Sequence, residues 1–216
     1  MGKAAKLAFV TFLTFVRFPL VLVFFAGAIA YTSPQFRHPW LFGVTFTALI
    51  SAALTDLFDG YYARRFGVET KLGAHADPLM DKFFYLASLP LLAWVAALEP
   101  EVTAAGRFLH PLNHSRLLLV IALLFLARDQ WVTFLRSIGA MYSASGSANW
   151  SGKLRTAINF PLVCVIYYFE ETPAQWQFIP EWFIYAFEVL ALVVTVLSLY
   201  IYTRNYWPYL RRSAHV

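Results

Sequence analysis

The sequence predicts an all-α polytopic membrane protein with six transmembrane helices and both termini in the cytoplasm. Three observations carry that reading. The chain is 60% hydrophobic and only 13% charged, against roughly 25% charged residues in a soluble domain. Its apolar stretches are long and lack barrel alternation, so backbone groups in lipid must be satisfied within helices. Its basic residues gather on alternate connections, which the positive-inside rule converts into an orientation. No internal repeat or low-complexity stretch divides the chain, so residues 1–216 are expected to form a single membrane domain.

The expected spans are Phe9–Tyr31, Pro39–Arg64, Asp77–Ala97, Ser115–Ser137, Lys153–Phe169 and Phe178–Thr203. Each offers about 17–26 residues, enough to cross a bilayer core of roughly 30 Å. The first span follows Lys3 and Lys6 and resembles a signal peptide, with Ala28-Ile29-Ala30 as a mimic cleavage site. Its run is too long and Arg17 interrupts it, so a retained helix is expected. Thr32-Ser33-Pro34 ends that span, and Thr172-Pro173 closes the fifth. Pro100 and Pro111 bracket a short surface loop, and Ser143 to Asn149 reads as a flexible one.

Lys3, Lys6, Arg64, Arg65, Lys71, Lys153, Arg155, Arg204, Arg211 and Arg212 fall on one side of these spans. The other side holds Arg37, Arg107 and Arg116, with Glu99, Glu101, Glu170 and Glu171. The first side is therefore cytoplasmic. The formal charge of +5 is spread over span ends, which suits a membrane surface and not nucleic acid. Trp40, Trp150, Trp176, Trp182 and Trp207 lie near span ends, where interfacial aromatics belong. Cys164 is the lone cysteine, so no intramolecular disulfide forms, and it reads as a small buried hydrophobe.

Acidic residues inside such spans are costly and need partners. Four fall in one pattern, Asp56-x2-Asp59-Gly60-x2-Ala63-Arg64-x8-Gly73-x3-Asp77-x3-Asp81. Asp56 and Asp59 share a helix face, as do Asp77 and Asp81 on the next helix. The short connection makes those helices antiparallel neighbours, so all four carboxylates can converge near the cytoplasmic end. Asp56 lies about eight residues in from Arg64, or roughly 12 Å. An all-oxygen set of this kind suits two Mg²⁺ or Mn²⁺ ions better than Zn²⁺, and Asp56 to Gly60 does not match a calcium loop. Magnesium sites borrow ligands from substrate phosphates, and a metal pair can clamp a phosphoryl group in displacement. Gly60 and Ala63 leave room for a ligand, and Arg64 can grip a phosphate through its planar fork. One carboxylate must take a proton from an attacking hydroxyl. Asp81, furthest along the second helix, is the candidate, although geometry alone does not select it.

These residues resemble the signature of the CDP-alcohol phosphatidyltransferases, matched at every defined position between residues 56 and 81. The resemblance implies a membrane enzyme with six transmembrane helices that moves a phosphatidyl group from CDP-diacylglycerol to an alcohol and releases CMP. It implies that Asp56, Asp59, Asp77 and Asp81 hold two divalent ions. It also implies that Asp56, Gly60, Ala63, Arg64, Gly73 and Asp77 surround the CDP moiety, that Asp81 is the base, and that the protein is a homodimer. A bacterial inner membrane, with the site facing the cytoplasm, is the expected location.

Beyond the signature, Ala127-Arg128-Asp129, Leu135-Arg136 and Gly152-Lys153-Leu154-Arg155-Thr156 resemble the phosphatidylglycerophosphate synthase branch. That branch tends to show Glu where Asp129 stands and Lys where Arg155 stands. Thr14-x2-Arg17 resembles its Asn-x2-Thr-x2-Arg, with Thr11 in the place of Asn. The implied acceptor is glycerol 3-phosphate. Its dianionic phosphate needs cations apart from the metal cluster, and Lys153 and Arg155 are the candidates, with Arg136 able to join. Inositol phosphate satisfies the same cations. Inositol, serine and phosphatidylglycerol are the other acceptors open to the same chemistry. Arg128 is expected to pair with Asp129 or another acid, and Arg17 needs a partner that the aspartate cavity can supply. His75 reads as a solvated loop side chain. A cation transporter would need a polar path across the whole membrane, and the opposite half of the spans is poor in ionisable groups. A membrane scaffold would not account for four acids kept in lipid.

Overall fold

A computed structural model describes residues 2–68, 71–98, 109–142 and 150–213. All regular structure among them is helical. Six α-helices follow one another: α1 (Lys3–Thr32), α2 (Pro39–Phe66), α3 (Lys71–Ala97), α4 (Pro111–Met141), α5 (Trp150–Glu171) and α6 (Glu181–Ser213). Short 3₁₀ turns at Pro34–Phe36 and Ala174–Trp176 make two of the connections. The expected loop at Ser143 to Asn149 and the Pro100 side of the third connection lie outside the described residues.

Each helix contains the core of an expected span and runs past it at one end or both. Proline sets two starts: Pro39 and Pro111 occupy first-turn positions, where the missing N–H costs no intrahelical bond. Gly67 stops α2. Its left-handed backbone (φ 62°) turns the chain back, and the Gly67 and Val68 amides donate to Ala63 and Arg64 carbonyls. Arg64 and Arg65 thereby sit in the last turn, facing the negative end of the helix dipole.

Helix α1 packs along α2 and α3, α4 along α3 and α6, and α5 against α2, α3 and α6. At Gly27 the first two helices nearly touch, since a Cβ there would lie 2.5 Å from the Thr45 hydroxyl oxygen. The shared core is aromatic and aliphatic, with Phe24, Leu49, Phe84, Leu89, Leu118, Phe125, Ile166 and Tyr167 fully enclosed. Cys164 is a free thiol packed against this core.

Five helices are long and apolar enough to cross a membrane: α1, α2, residues Pro78–Ala97 of α3, α4 and α6. Helix α5, the remaining expected span, does not reach that apolarity among the described residues. Its apolar run is short because Lys153, Arg155, Glu170 and Glu171 crowd its two ends. It compensates by burial, with Phe160, Leu162, Val163, Ile166 and Tyr167 inside the bundle. The outer faces carry a broad apolar belt, including Phe12, Leu123 and Val196, and such a surface belongs in lipid. Trp40, Trp150, Trp182 and Trp207 are exposed at helix ends.

One sequence expectation needs correction. The half of the bundle away from the aspartates is not poor in ionisable groups. His114 of α4 lies 2.9 Å from Glu170 of α5 and 2.8 Å from Glu188 of α6, and all three side chains are buried. Glu170 had the appearance of a connection residue because it stands at the end of an apolar run. The cluster joins three helices at one end and lies apart from the aspartates, since Asp129 follows His114 by about 22 Å along α4. The core between is dominated by Leu118, Ile121, Phe125, Leu162 and Ile166, so among the described residues no chain of charges links the two ends.

Replacing His114 by alanine leaves two buried carboxylates without their shared partner. We expect a loss of about 3–5 kcal/mol, read as a lower melting temperature in detergent. An unchanged melting temperature would show that the cluster does not tie the helices together.

Candidate active site

The aspartates of α2 and α3 meet a cation from α1. Arg17 is fully buried. Its Nη2 lies 2.8 Å from Asp56 Oδ1 and 3.0 Å from Asp59 Oδ2, and its Nη1 lies 3.1 Å from Asp81 Oδ1. Thr14, one turn earlier on α1, donates its hydroxyl to Asp59 Oδ2 at 3.1 Å. The helical spacing of Thr14 and Arg17 puts both on one face, and that face is pressed against α2. The sequence expectation that Arg17 finds its partner in the aspartate cavity holds.

Three of the four signature aspartates are thus brought together. Asp77 lies on α3 one turn before Asp81, but its side chain falls outside the described residues, as do those of His75 and Lys153. The carboxylates close on Arg17 and not on a common empty centre. Among the described residues no three acids surround a single point. The donor set nevertheless suits a hard divalent cation. All the donors are carboxylate oxygens, and three carboxylates face one guanidinium. Carboxylates gathered at this depth are costly, and an ion of charge +2 would offset them.

Gly60 and Arg64 adjoin this cluster on α2. A Cβ on residue 60 would lie 3.3 Å from an Arg64 Nη atom, so the glycine lets the Arg64 side chain fold back along its own helix. Arg64 itself is exposed and available to an anion. Ala63 and Gly73 are half-buried nearby in sequence, at the end of α2 and the start of α3.

Beside the cluster lies a cavity of about 220 Å³ lined by residues of α3, α4, α5 and α6. Asp81 borders it, so one carboxylate belongs to both places. Four cations line the same space: Lys82, Arg128, Arg136 and Arg155. They are not equivalent. Asp129 holds two of them, accepting from Arg128 Nη1 at 3.0 Å and from Arg155 Nη2 at 2.9 Å. Arg155 also lies over the faces of Tyr85 and Phe125, 5.5 Å from each centroid. Among the described residues Lys82 reaches neutral partners, Thr133 Oγ1 at 3.1 Å and Gln130 Oε1 at 3.4 Å. Arg136 donates to the Tyr202 hydroxyl at 2.9 Å.

This refines the sequence-based site. Arg155, an expected acceptor-phosphate residue, lines the cavity, but its charge is already matched by Asp129. Arg128 pairs with Asp129, as expected, and lines the cavity as well. Lys82 was not singled out from the sequence, although it directly follows Asp81. Tyr202 gave no signal because a tyrosine in an apolar span has the look of any belt aromatic.

Comparison with known proteins gives the family. The family model for CDP-alcohol phosphatidyltransferase matches residues 8–204. A CDP-diacylglycerol–glycerol-3-phosphate 3-phosphatidyltransferase of Cereibacter sphaeroides is 36% identical over 75 residues, 35% of this chain and 34% of that protein. A CMP-forming cardiolipin synthase of Oryza sativa is 27% identical over 175 residues, 78% of this chain and 50% of that protein. A CDP-diacylglycerol–glycerol-3-phosphate 3-phosphatidyltransferase of Pseudomonas fluorescens is 26% identical over 181 residues, 81% of this chain and 80% of that protein. The chain therefore spans a third to a half of the first two relatives and most of the third. The family model runs through all six helices and takes in Arg17, the aspartates and the cationic cavity, and the chain belongs to the CDP-alcohol phosphatidyltransferase family.

Proposed function

We propose that the protein transfers the phosphatidyl group of CDP-diacylglycerol to the hydroxyl of glycerol 3-phosphate, giving phosphatidylglycerol phosphate and CMP. The observation that carries this reading is the position of Asp81, shared between the carboxylate cluster and a cavity lined by four cations. The two substrates have matching chemistry. A cytidine diphosphate headgroup needs divalent cations, and a phosphorylated alcohol needs fixed positive charge.

Asp56, Asp59, Asp77 and Asp81 would hold two Mg²⁺ or Mn²⁺ ions. When bound, these neutralise the diphosphate and stabilise charge on the leaving CMP. The chain's own groups do the positioning. Arg64, exposed at the end of α2, would take a phosphate of the CDP moiety, with Asp56, Gly60, Ala63, Gly73 and Asp77 around that moiety. Lys82 and Arg136 take the acceptor's phosphate, since their other partners are neutral. Arg155 and Lys153 contribute positive potential at the same end. Asp81 is 29% exposed in its side chain, open enough to accept a proton from the acceptor's hydroxyl. That oxygen then bonds to the phosphatidyl phosphorus as the bond to the CMP oxygen breaks.

The basic termini and the Arg64-Arg65 end of α2 support a cytoplasmic site, with α5 completing six crossings of a bacterial inner membrane. Six helices packed on one core support a single domain, and family resemblance supports a homodimer. The rice relative is named a cardiolipin synthase, and phosphatidylglycerol is the competing acceptor. A cavity with four cations favours a free phosphorylated alcohol over it.

An acceptor screen with purified protein and CDP-diacylglycerol tests the reading, offering glycerol 3-phosphate, inositol phosphate, inositol, serine and phosphatidylglycerol in turn. Phosphatidylglycerol phosphate should be the main product, and dominance of any other product overturns the acceptor assignment. Asp56→Asn should lower CMP release by roughly 100-fold or more. Asp81→Asn should reduce turnover more than it reduces CDP binding, and wild-type rates in both variants would remove the aspartates from the site. Arg136→Ala should raise KM for glycerol 3-phosphate about tenfold or more, while an unchanged KM would place the acceptor elsewhere.

A further inference from the structure

We infer that Tyr202, a residue of α6 outside the signature motif, is the positioning residue that sets the acceptor cavity for a phosphate, and that Gly152 is what admits it. This rests on the acceptor reading above and adds the element that shapes the cavity.

Arg136 is one of the two cavity cations whose partners among the described residues are neutral, and its polar and ring contacts among them are to Tyr202. Its Nη2 donates to the phenol oxygen at 2.9 Å, and its guanidinium carbon lies 5.4 Å from the ring centroid. Arg128 lies over the same ring at 5.0 Å, and its Nη2 donates to Ser198, one turn earlier on α6. One buried ring thus fixes the separation of two cavity arginines that come from different turns of α4. An arginine held by a hydroxyl and a π-face has no counter-charge beside it, whereas one held by a carboxylate has its charge already matched. Tyr202 therefore orients Arg136 without neutralising it, which is what an anion site requires.

Space for the ring comes from α5. A Cβ on residue 152 would lie 2.9 Å from the Tyr202 hydroxyl oxygen, closer than real contacts allow, so any side chain there must displace the phenol. The glycine of the Gly152-Lys153-Leu154-Arg155-Thr156 run then has a physical reason. It lets α6 bring Tyr202 against the cavity wall.

The test is steady-state kinetics of Y202F and G152A in the full-length protein. Y202F removes only the hydroxyl, while G152A removes nothing and shifts the ring. Both should raise KM for glycerol 3-phosphate, Y202F by about tenfold. The kcat at saturating acceptor and the KM for CDP-diacylglycerol should stay within about twofold. That split separates positioning from a structural role, which would lower kcat and disturb both substrates. An unchanged glycerol 3-phosphate KM in both variants overturns the inference, as does a parallel loss of all three parameters. A wild-type protein that turns over no glycerol 3-phosphate overturns the acceptor reading and this inference with it.

Discussion

A buried guanidinium holds together the acids of two other helices, and the rest of the site is arranged around that contact. Asp56, Asp59 and Asp81 would repel one another inside a bundle with little water. Arg17 bonds all three, which locks α1 onto α2 and α3 at one level. Among the described residues three carboxylates share this one guanidinium, in a place where charge is expensive. A site of that kind persists in the folded protein and, in the proposed reaction, would draw further cations.

The second half of the site has the opposite sign. Lys82, Arg128, Arg136 and Arg155 line a cavity that shares Asp81 with the acidic half. Asp129 lowers the repulsion among the four cations by pairing with two of them, and neutral groups orient the other two. An acidic pole and a basic pole side by side sort two phosphorylated substrates by charge. In the proposed reaction the substrate that arrives with divalent ions would go to the aspartates, the free phosphate would go to the cavity, and Asp81 would stand between them.

Much of this was legible in the chain itself. Six helices followed from the length of the apolar runs, and five meet the apolarity of a span. The aspartate pattern pointed to one end of α2 and α3 because helical spacing fixes which side chains share a face. Arg17 was legible as a charge that needed a partner. Other parts were hidden for definite reasons. Lys82 reads as an ordinary membrane-edge lysine until the register of α3 against α4 is known. Tyr202 is one of many aromatics, and its role depends on two arginines about 70 residues away in sequence. His114, Glu170 and Glu188 come from three separate helices, so no spacing rule connects them. The charge of Arg155 was legible, but its neutralisation by Asp129 was not, because that pairing spans two helices.

The central claim is that carboxylates gathered by Arg17 form the divalent-cation end of the reaction. Anomalous diffraction from crystals grown with Mn²⁺ and CDP tests it most directly. The account predicts manganese peaks among the carboxylate oxygens of Asp56, Asp59, Asp77 and Asp81, with the diphosphate against them. Manganese bound elsewhere, or CDP seated away from these aspartates, would contradict it.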